Sequence, residues 1–201
     1  MTDARALRAV AHPLRVRILN TLALMEAATA TQIAAAVGDT PANCSWHMRQ
    51  LAKYGYVEEA PGGVGRQRPW RIVDVPRHLE SNGDDELDVA AAAVTDVLID
   101  YEVGVLRSFI QQRLREPEPA EWQRSPHLIQ AIQWLTADEV DALFTELNTA
   151  IARHSSRYGD RETRPPGSRP VRLFAWGVPA APLDVAHVPV DPDVNDGGTN
   201  A

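Results

Sequence analysis

Residues 29–72 read TATQIAAAVGDTPANCSWHMRQLAKYGYVEEAPGGVGRQRPWRI, and they carry the clearest structural signals of the chain. Thr31 is placed to cap a short helix over 32–37, because a threonine hydroxyl accepts a hydrogen bond from the first helical turn. Gly38 and Asp39 then form a turn. Thr40 is predicted as the N-cap of a second helix with Pro41 in its first position, and the helix runs to Tyr54 before Gly55.

A hairpin follows the second helix. Residues 56–60 read as a strand, 61–65 (PGGVG) as a glycine-rich tip, and 67–73 as a returning strand. Two helices, a tight turn and a basic hairpin in this order predict a winged helix-turn-helix. In this motif the second helix enters the DNA major groove and the hairpin, or wing, lies beside it.

The second helix of the motif has two chemically different faces. Cys44, Met48 and Leu51 are spaced four and three residues apart, which places them on one apolar face toward the core. The remaining positions carry side chains that can contact bases or phosphates, although an ordinary solvated helix face has the same composition. The predicted DNA-binding residues are Thr40, Asn43, Ser45, Trp46, His47, Arg49, Gln50 and Lys53 on the helix, with Arg66 and Arg68 on the wing.

Upstream of this motif, the sequence predicts helices over 3–11 and from Pro13 to about Leu24. Downstream, residues 84–115 carry the longest helical pattern of the chain. An apolar seam with alternating steps of four and three indicates a helix that pairs with another helix. We predict that it forms a dimer interface through Leu87, Ala91, Val94, Leu98, Tyr101 and Val105.

The last third of the chain shows weaker patterns. Partial alternation predicts strands over 127–135 and 171–178, and a Thr-Ala-Asp-Glu capping box predicts a helix from Thr136 to about Ser155. Residues 155–170 read as a loop. The expected fold class is therefore α+β and mainly helical. The expected organisation is a winged helix-turn-helix domain (1–78), a dimerisation helix (84–116), a small C-terminal α/β dimerisation or effector region (120–178) and a tail (179–201).

Charge is divided unevenly along the 201 residues. The net charge is −7, but residues 1–78 hold ten Lys and Arg against six Asp and Glu, and the remainder holds ten against twenty-one. A basic first part and an acidic second part indicate separate tasks, the first compatible with binding phosphates. No apolar run approaches the roughly 20 residues of a membrane helix. Together with the lack of a signal-peptide pattern, this predicts a cytoplasmic protein without a membrane partner.

Two segments, AHPLRVRIL (11–19) and SWHMRQLAKYGYVEE (45–59), resemble the ArsR-type winged helix-turn-helix regulators. The glycine-rich tip with RQRPWR (66–71) is similar to an actinobacterial branch of such regulators that carries an added C-terminal domain. The resemblance covers about residues 4–75. It implies that residues 40–54 are the recognition helix and 62–68 the wing, with Ser45 and His47 at positions that often face DNA. Trp46 departs from the polar or basic residue common there.

Other kinds of site find less support in the sequence. Thiolate metal sites need two or more cysteines, and Cys44 is the single cysteine of the chain, so no metal site and no cofactor are expected. Nucleotide-binding and nucleophile motifs are also absent, and we predict no enzyme activity. Aromatic residues of the C-terminal region suggest either a core or a small-molecule effector pocket. The candidate pocket residues are Trp122, Trp134, Phe174 and Trp176.

These observations predict a sequence-specific DNA-binding transcriptional regulator. We expect a homodimeric repressor that binds double-stranded DNA at an inverted-repeat operator and responds to a signal, with a small molecule as the expected effector. Two alternatives remain at this point. One is a protein-interaction module that uses the winged helix as a scaffold, and the other is a metal-responsive repressor.

Overall fold

A computed structural model describes residues 4–63, 68–73, 85–124 and 128–180. It contains helices and a small antiparallel sheet, which confirms the mainly helical α+β class. The chain divides into two units, one comprising Met1–Pro126 and Ser156–Arg172, the other His127–Ser155 and Leu173–Ala201. The predicted connector (74–83) and the tail beyond 180 lie outside the described residues. The elements are α1 (Ala4–Val10), α2 (Pro13–Met25), β1 (Ala27–Ala28), α3 (Ala30–Val37), α4 (Pro41–Lys53), β2 (Val57–Glu59), β3 (Trp70–Ile72), α5 (Asp85–Arg115), α6 (Ala137–Ala152) and α7 (Ser156–Gly159), with 3-10 turns at Ala120–Trp122 and Arg161–Thr163.

The two helices of the helix-turn-helix begin at threonine caps. The predicted cap of α4 is confirmed, since the Thr40 hydroxyl accepts a hydrogen bond from the Asn43 amide and Pro41 opens the helix. The predicted cap of α3 at Thr31 is wrong. The cap is Thr29, whose hydroxyl and amide form a reciprocal capping box with Gln32, so this helix begins two residues earlier than expected. Gly38 ends α3 with φ +66°, which a glycine adopts without strain.

The sheet of the described residues has the order β1-β3-β2 and is antiparallel throughout. Val57 pairs with Ile72 and Glu59 with Trp70, which confirms the hairpin, although both strands are shorter than predicted. β1 was not predicted, because two alanines carry no strand signal. It pairs Ala28 with Trp70 and thereby ties the hairpin to the end of α2.

Two apolar clusters hold the first unit together. The first lies between α2, α3, α4 and the sheet, and it includes Cys44, Met48 and Leu51, all fully buried as predicted. The second joins α5 to α1 and α2, with Leu87 and Val94 among its buried members. Tyr56 contacts both clusters and donates its hydroxyl to the Ala6 carbonyl at 2.9 Å. Helix α4 and the start of α5 are thus anchored on one framework.

Residues predicted as a loop, 155–170, instead contain α7 and a 3-10 turn. Two arginines of this stretch hold Glu26 at the end of α2: Arg164 at 2.5 Å and Arg161 at 2.9 Å. The hydrogen bond from Arg164 is the main cause of the lowered pKa of Glu26. These ion pairs tie residues 161–164 to the end of α2, a contact between distant parts of the chain that local sequence patterns do not indicate.

The second unit contains α6 and the segments beside it. The capping box at Thr136 and Glu139 is confirmed, but the helix ends at Ala152 rather than near Ser155. The predicted strands are wrong for the residues described: 128–135 and 171–178 contain neither strand nor helix. A strand needs a neighbour for its backbone hydrogen bonds, and neither segment pairs with any described strand.

Candidate nucleic-acid interface

Helix α4, the second helix of the helix-turn-helix, presents a polar face to solvent. Thr40, Asn43, Arg49 and Lys53 are exposed, while Ser45 and Gln50 are half-buried. The opposite face is closed by the core, so the helix can offer only this side to a ligand. Arg49 donates from Nε to the Ser45 carbonyl at 3.3 Å, which directs its stem along the helix and leaves the side chain exposed. In a major groove, a side-chain amide offers the donor and the acceptor that pair with adenine, and an arginine offers the donors that pair with guanine.

The amino end of α4 is ordered by a local hydrogen-bond network. The Asp39 carboxylate accepts from the Thr40 amide at 2.6 Å and from the Asn43 side-chain amide at 3.1 Å. The Asn43 bond and then the Thr40 bond lower the pKa of Asp39. Asn43 is therefore oriented before any ligand arrives, which lowers the entropy cost of a contact through this side chain.

Trp46 lies beside a cluster of three side chains that joins α4 to the start of α2, namely His12, Arg15 and His47. It is about half exposed (48%) and meets the His47 ring edge-on at 4.7 Å. The Arg15 guanidinium lies 5.8 Å from the Trp46 ring centre and donates to the Ala9 carbonyl. Arg15 was missed by the sequence analysis, because nothing in the spacing within α2 indicates a contact with α4. Its position makes Trp46 a fixed, partly exposed apolar surface on the recognition helix.

His47 is turned inward, and we therefore drop it from the residues proposed to contact DNA. Its side chain is only 5% exposed. Nδ1 accepts a hydrogen bond from Arg15 Nε at 3.2 Å, and the ring lies 4.7 Å from His12. Burial, followed by the positive charges of His12 and Arg15, lowers the pKa of His47. The sequence spacing also indicates that His47 is buried. Position 47 follows Cys44 by three residues and precedes Leu51 by four, which places it on the buried stripe of α4.

The wing is the hairpin of β2 and β3. Arg68 pairs with Glu59 at 3.0 Å and Arg71 with Glu58 at 2.6 Å. All four side chains are about half exposed or more, and exposed pairs of this kind contribute little stability, so a phosphate can replace the carboxylate. Arg66, the other predicted wing residue, lies outside the described residues.

The predicted dimer seam on α5 faces partly into its own chain. Leu87 and Val94 are buried against α1 and α2, and Ala91, Leu98 and Tyr101 are half-buried against the same cluster. Val105 is half-buried farther along α5. A different stripe with steps of four, three and four is exposed on α5. It comprises Ile99, Val103, Leu106 and Ile110.

The predicted effector pocket divides between the two units. Trp122 belongs to the first unit, half-buried, with the Arg169 guanidinium 5.4 Å from its ring centre. Trp134, Phe174 and Trp176 belong to the second unit, and all three are exposed there. An open groove within the first unit instead lies between α2 and α5, with Arg17, Asp100, Tyr101 and Phe109 in its lining.

The described residues contain neither a metal-binding cluster nor a helix that could span a membrane. No group of three or more His, Cys, Asp or Glu in that part of the chain could hold a metal ion. Burial raises the pKa of the Cys44 thiol, which disfavours the thiolate that metals bind. In the same part of the chain, no helix is both long and apolar enough to cross a membrane.

Comparison with known families identifies residues 10–59 as a helix-turn-helix domain. This match spans α2, α3 and α4 and ends at the last residue of β2. It supports a DNA-binding regulator and covers about a quarter of the chain. No curated protein matches the sequence.

Proposed function

We propose that this protein is a transcriptional regulator of the ArsR type that binds an inverted-repeat operator as a homodimer and represses transcription until a signal releases it. One observation carries the proposal: α4 exposes an oriented polar face and buries the opposite face completely. The helix-turn-helix match over the same residues supports it.

The positions of the basic residues support contact with DNA on this face. Arg49 and Lys53 lie on the exposed side of α4, and Arg68 lies on the wing hairpin. Trp46 offers an apolar surface suited to a thymine methyl or a sugar. The proposed contact set is Thr40, Asn43, Ser45, Trp46, Arg49, Gln50, Lys53, Arg66 and Arg68.

The exposed stripe of α5 supports a two-fold dimer. Ile99, Val103, Leu106 and Ile110 have the spacing of a helix-pairing seam and remain 36–49% exposed. Leu87 and Val94 are buried against α1 and α2 of the same chain, so the second stripe is the better candidate for the dimer interface. A two-fold dimer would then place two recognition helices in successive major grooves, about 34–36 Å apart.

The groove between α2 and α5 is our candidate for the signal site. It has aromatic walls at Tyr101 and Phe109 and charged groups at Arg17 and Asp100, which suits a small aromatic or apolar molecule with one polar group. Because α2 packs under α4, a molecule wedged there would shift the recognition helix relative to α5.

A mobility-shift assay with DNA from upstream of the protein's own gene tests the proposal. Replacing one base-contacting arginine typically costs 1–3 kcal/mol, so Arg49→Ala should weaken binding roughly 5- to 150-fold. Arg124→Ala is the matched control, since Arg124 is exposed but lies far from α4 in sequence. Equal affinities for the wild type and the Arg49 variant, with the dimer intact, would overturn the proposed surface.

Salt dependence separates this proposal from a protein-interaction module. Contact with several phosphates predicts that affinity falls by orders of magnitude between about 50 and 200 mM salt. Affinity that hardly changes over this range would favour the interaction module instead.

A further inference from the structure

The second unit has no buried core of its own in the residues described. Among its described side chains, only Val140 and Phe144 of α6 are even half-buried. Exposed on the same side of that helix are Leu143, Leu147 and Ile151, a stripe at helical spacing. The hydrophobic effect drives a stripe like this to be covered.

Two segments beside α6, 128–135 and 173–178, have the composition of strands but no strand partner. We call them the unpaired segments. Neither forms a backbone hydrogen bond to another described residue. Their large apolar side chains are exposed, with Trp134 at 98% and Trp176 at 72%. An apolar segment with unsatisfied backbone groups is a template for pairing with another chain.

One of the unpaired segments is already seated against α6. A Cβ placed on Gly177 would lie 2.9 Å from Cε2 of Phe144, so Gly177 packs closely on this ring and a larger residue there would displace it. This contact places residues 173–178 beside the apolar stripe of α6. A strand formed there could cover the exposed apolar side chains of the helix.

We propose that the second unit completes its core with the same unit of a second copy of this chain, the unpaired segments of both copies forming an intersubunit β-sheet over α6. The proposal extends the dimer of the proposed function to a second interface, although it does not depend on DNA binding.

The exposed area fits such an interface. Two tryptophans at these exposures present roughly 250–400 Å². Seven further apolar side chains of the unpaired segments add roughly 50–100 Å² each. The total of roughly 600–1,100 Å² brackets the approximately 800 Å² that each partner buries in a stable complex. The seven are Leu128, Ile129, Ile132, Leu135, Leu173, Phe174 and Val178.

Charge favours a second copy over a nucleic acid or an anionic membrane. The unpaired segments contain no charged residue, so pairing them desolvates no ion. The helix carries Asp138, Glu139, Asp141 and Glu146, which would repel phosphate groups. None of these four belongs to the apolar stripe, so two copies can meet at the stripe while their acidic residues remain in solvent.

Hydrogen exchange of the full-length protein tests the proposal. An intersubunit sheet predicts that amides in 128–135 and 173–178 exchange more than about tenfold slower than unprotected amides. This protection should disappear when the protein is diluted until it is monomeric. Amides that exchange at the unprotected rate in the dimer would overturn the proposal. Protection that persists in the diluted monomer would also overturn it, because the strands would then pair within one chain.

Two matched variants sharpen the result. Ile132→Glu should abolish the protection of both segments, whereas Leu24→Glu, at an exposed aliphatic position of α2, should leave it unchanged. Loss of protection in both variants would overturn the proposal.

DNA binding by the wild type is the separate readout for the proposed function. Unprotected amides with normal DNA binding reject the sheet alone, and protected amides without DNA binding reject the regulator alone.

Discussion

Two threonine caps offer a matched test of the recognition helix. Thr40 caps α4 through a hydrogen bond from the Asn43 amide at 3.2 Å, and Thr29 caps α3 through one from the Gln32 amide at 3.3 Å. Replacing a capping threonine by alanine costs typically about 1 kcal/mol. Both Thr40→Ala and Thr29→Ala should therefore lower the free energy of unfolding by about 1 kcal/mol, as measured by urea denaturation.

The two variants should differ in DNA affinity. The Thr40 cap orders the first turn of α4, where Asn43 lies, and helix amino termini are common phosphate contacts. Without the cap, binding must order the first turn of α4 at a cost of about 1 kcal/mol, which raises the dissociation constant for DNA roughly fivefold. Loss of a phosphate contact by Thr40 would raise it further. Thr29 caps the other helix of the motif, so its variant should bind DNA within about twofold of the wild type.

A serine variant completes the set. Thr40→Ser keeps the capping hydroxyl and should retain both stability and affinity close to the wild type. Mobility-shift titrations of the wild type and the three variants, at a temperature where all are folded, provide the comparison. The reasoning fails if Thr29→Ala weakens DNA binding as much as Thr40→Ala does. It also fails if Thr40→Ala lowers stability and leaves affinity unchanged.

Three further outcomes are expected. Because the pKa of folded His47 lies below its ordinary value of 6.5, the unfolded chain binds more protons just below that pH. The free energy of unfolding should then fall as the pH drops from about 6.5, and His47→Gln should reduce this slope in urea titrations; an unchanged slope would count against the buried neutral imidazole. Tyr56→Phe should lower the free energy of unfolding by about 1 kcal/mol, because the hydroxyl bond to Ala6 is lost, and full stability would mean that this bond contributes nothing. Ile99→Glu should raise the dissociation constant of the dimer in sedimentation while the chain stays folded, whereas Leu98→Glu should mainly destabilise the packing of α5 on α1; the reverse pattern would return the dimer seam to the Leu98 face.

The helix-turn-helix could be predicted almost completely from the sequence, because its signals are local. The cap at Thr40, the left-handed glycine at position 38 and the four-three spacing of Cys44, Met48 and Leu51 each act within one or two helical turns. The error at Thr31 has the same origin. Two threonines stand two residues apart, and the one with Gln32 three residues after it gains the second, reciprocal bond.

The interior of the first unit was harder to predict. Periodicity identified an apolar stripe on α5 but not which neighbour covers it, and α5 carries two stripes. Spacing alone predicts that the stripe with Leu87 and Val94 meets a partner chain, whereas α1 of the same chain buries it. The family resemblance likewise predicts that His47 faces DNA, although the contact that turns it inward comes from Arg15, 32 residues earlier.

Local sequence signals predict the helices, turn and strands described within residues 29–63 and 68–72, the exposed chemistry of α4 and the division of charge along the chain. Caps, turns and helical spacing depend on neighbouring residues, whose energies do not require a finished fold. Tertiary structure decided which apolar stripe of α5 is interior, that His47 supports the recognition helix from beneath, and that the second unit has no strand partner within its own described residues. Burial and strand pairing are satisfied by groups distant in sequence, so they are settled only when the chain is packed.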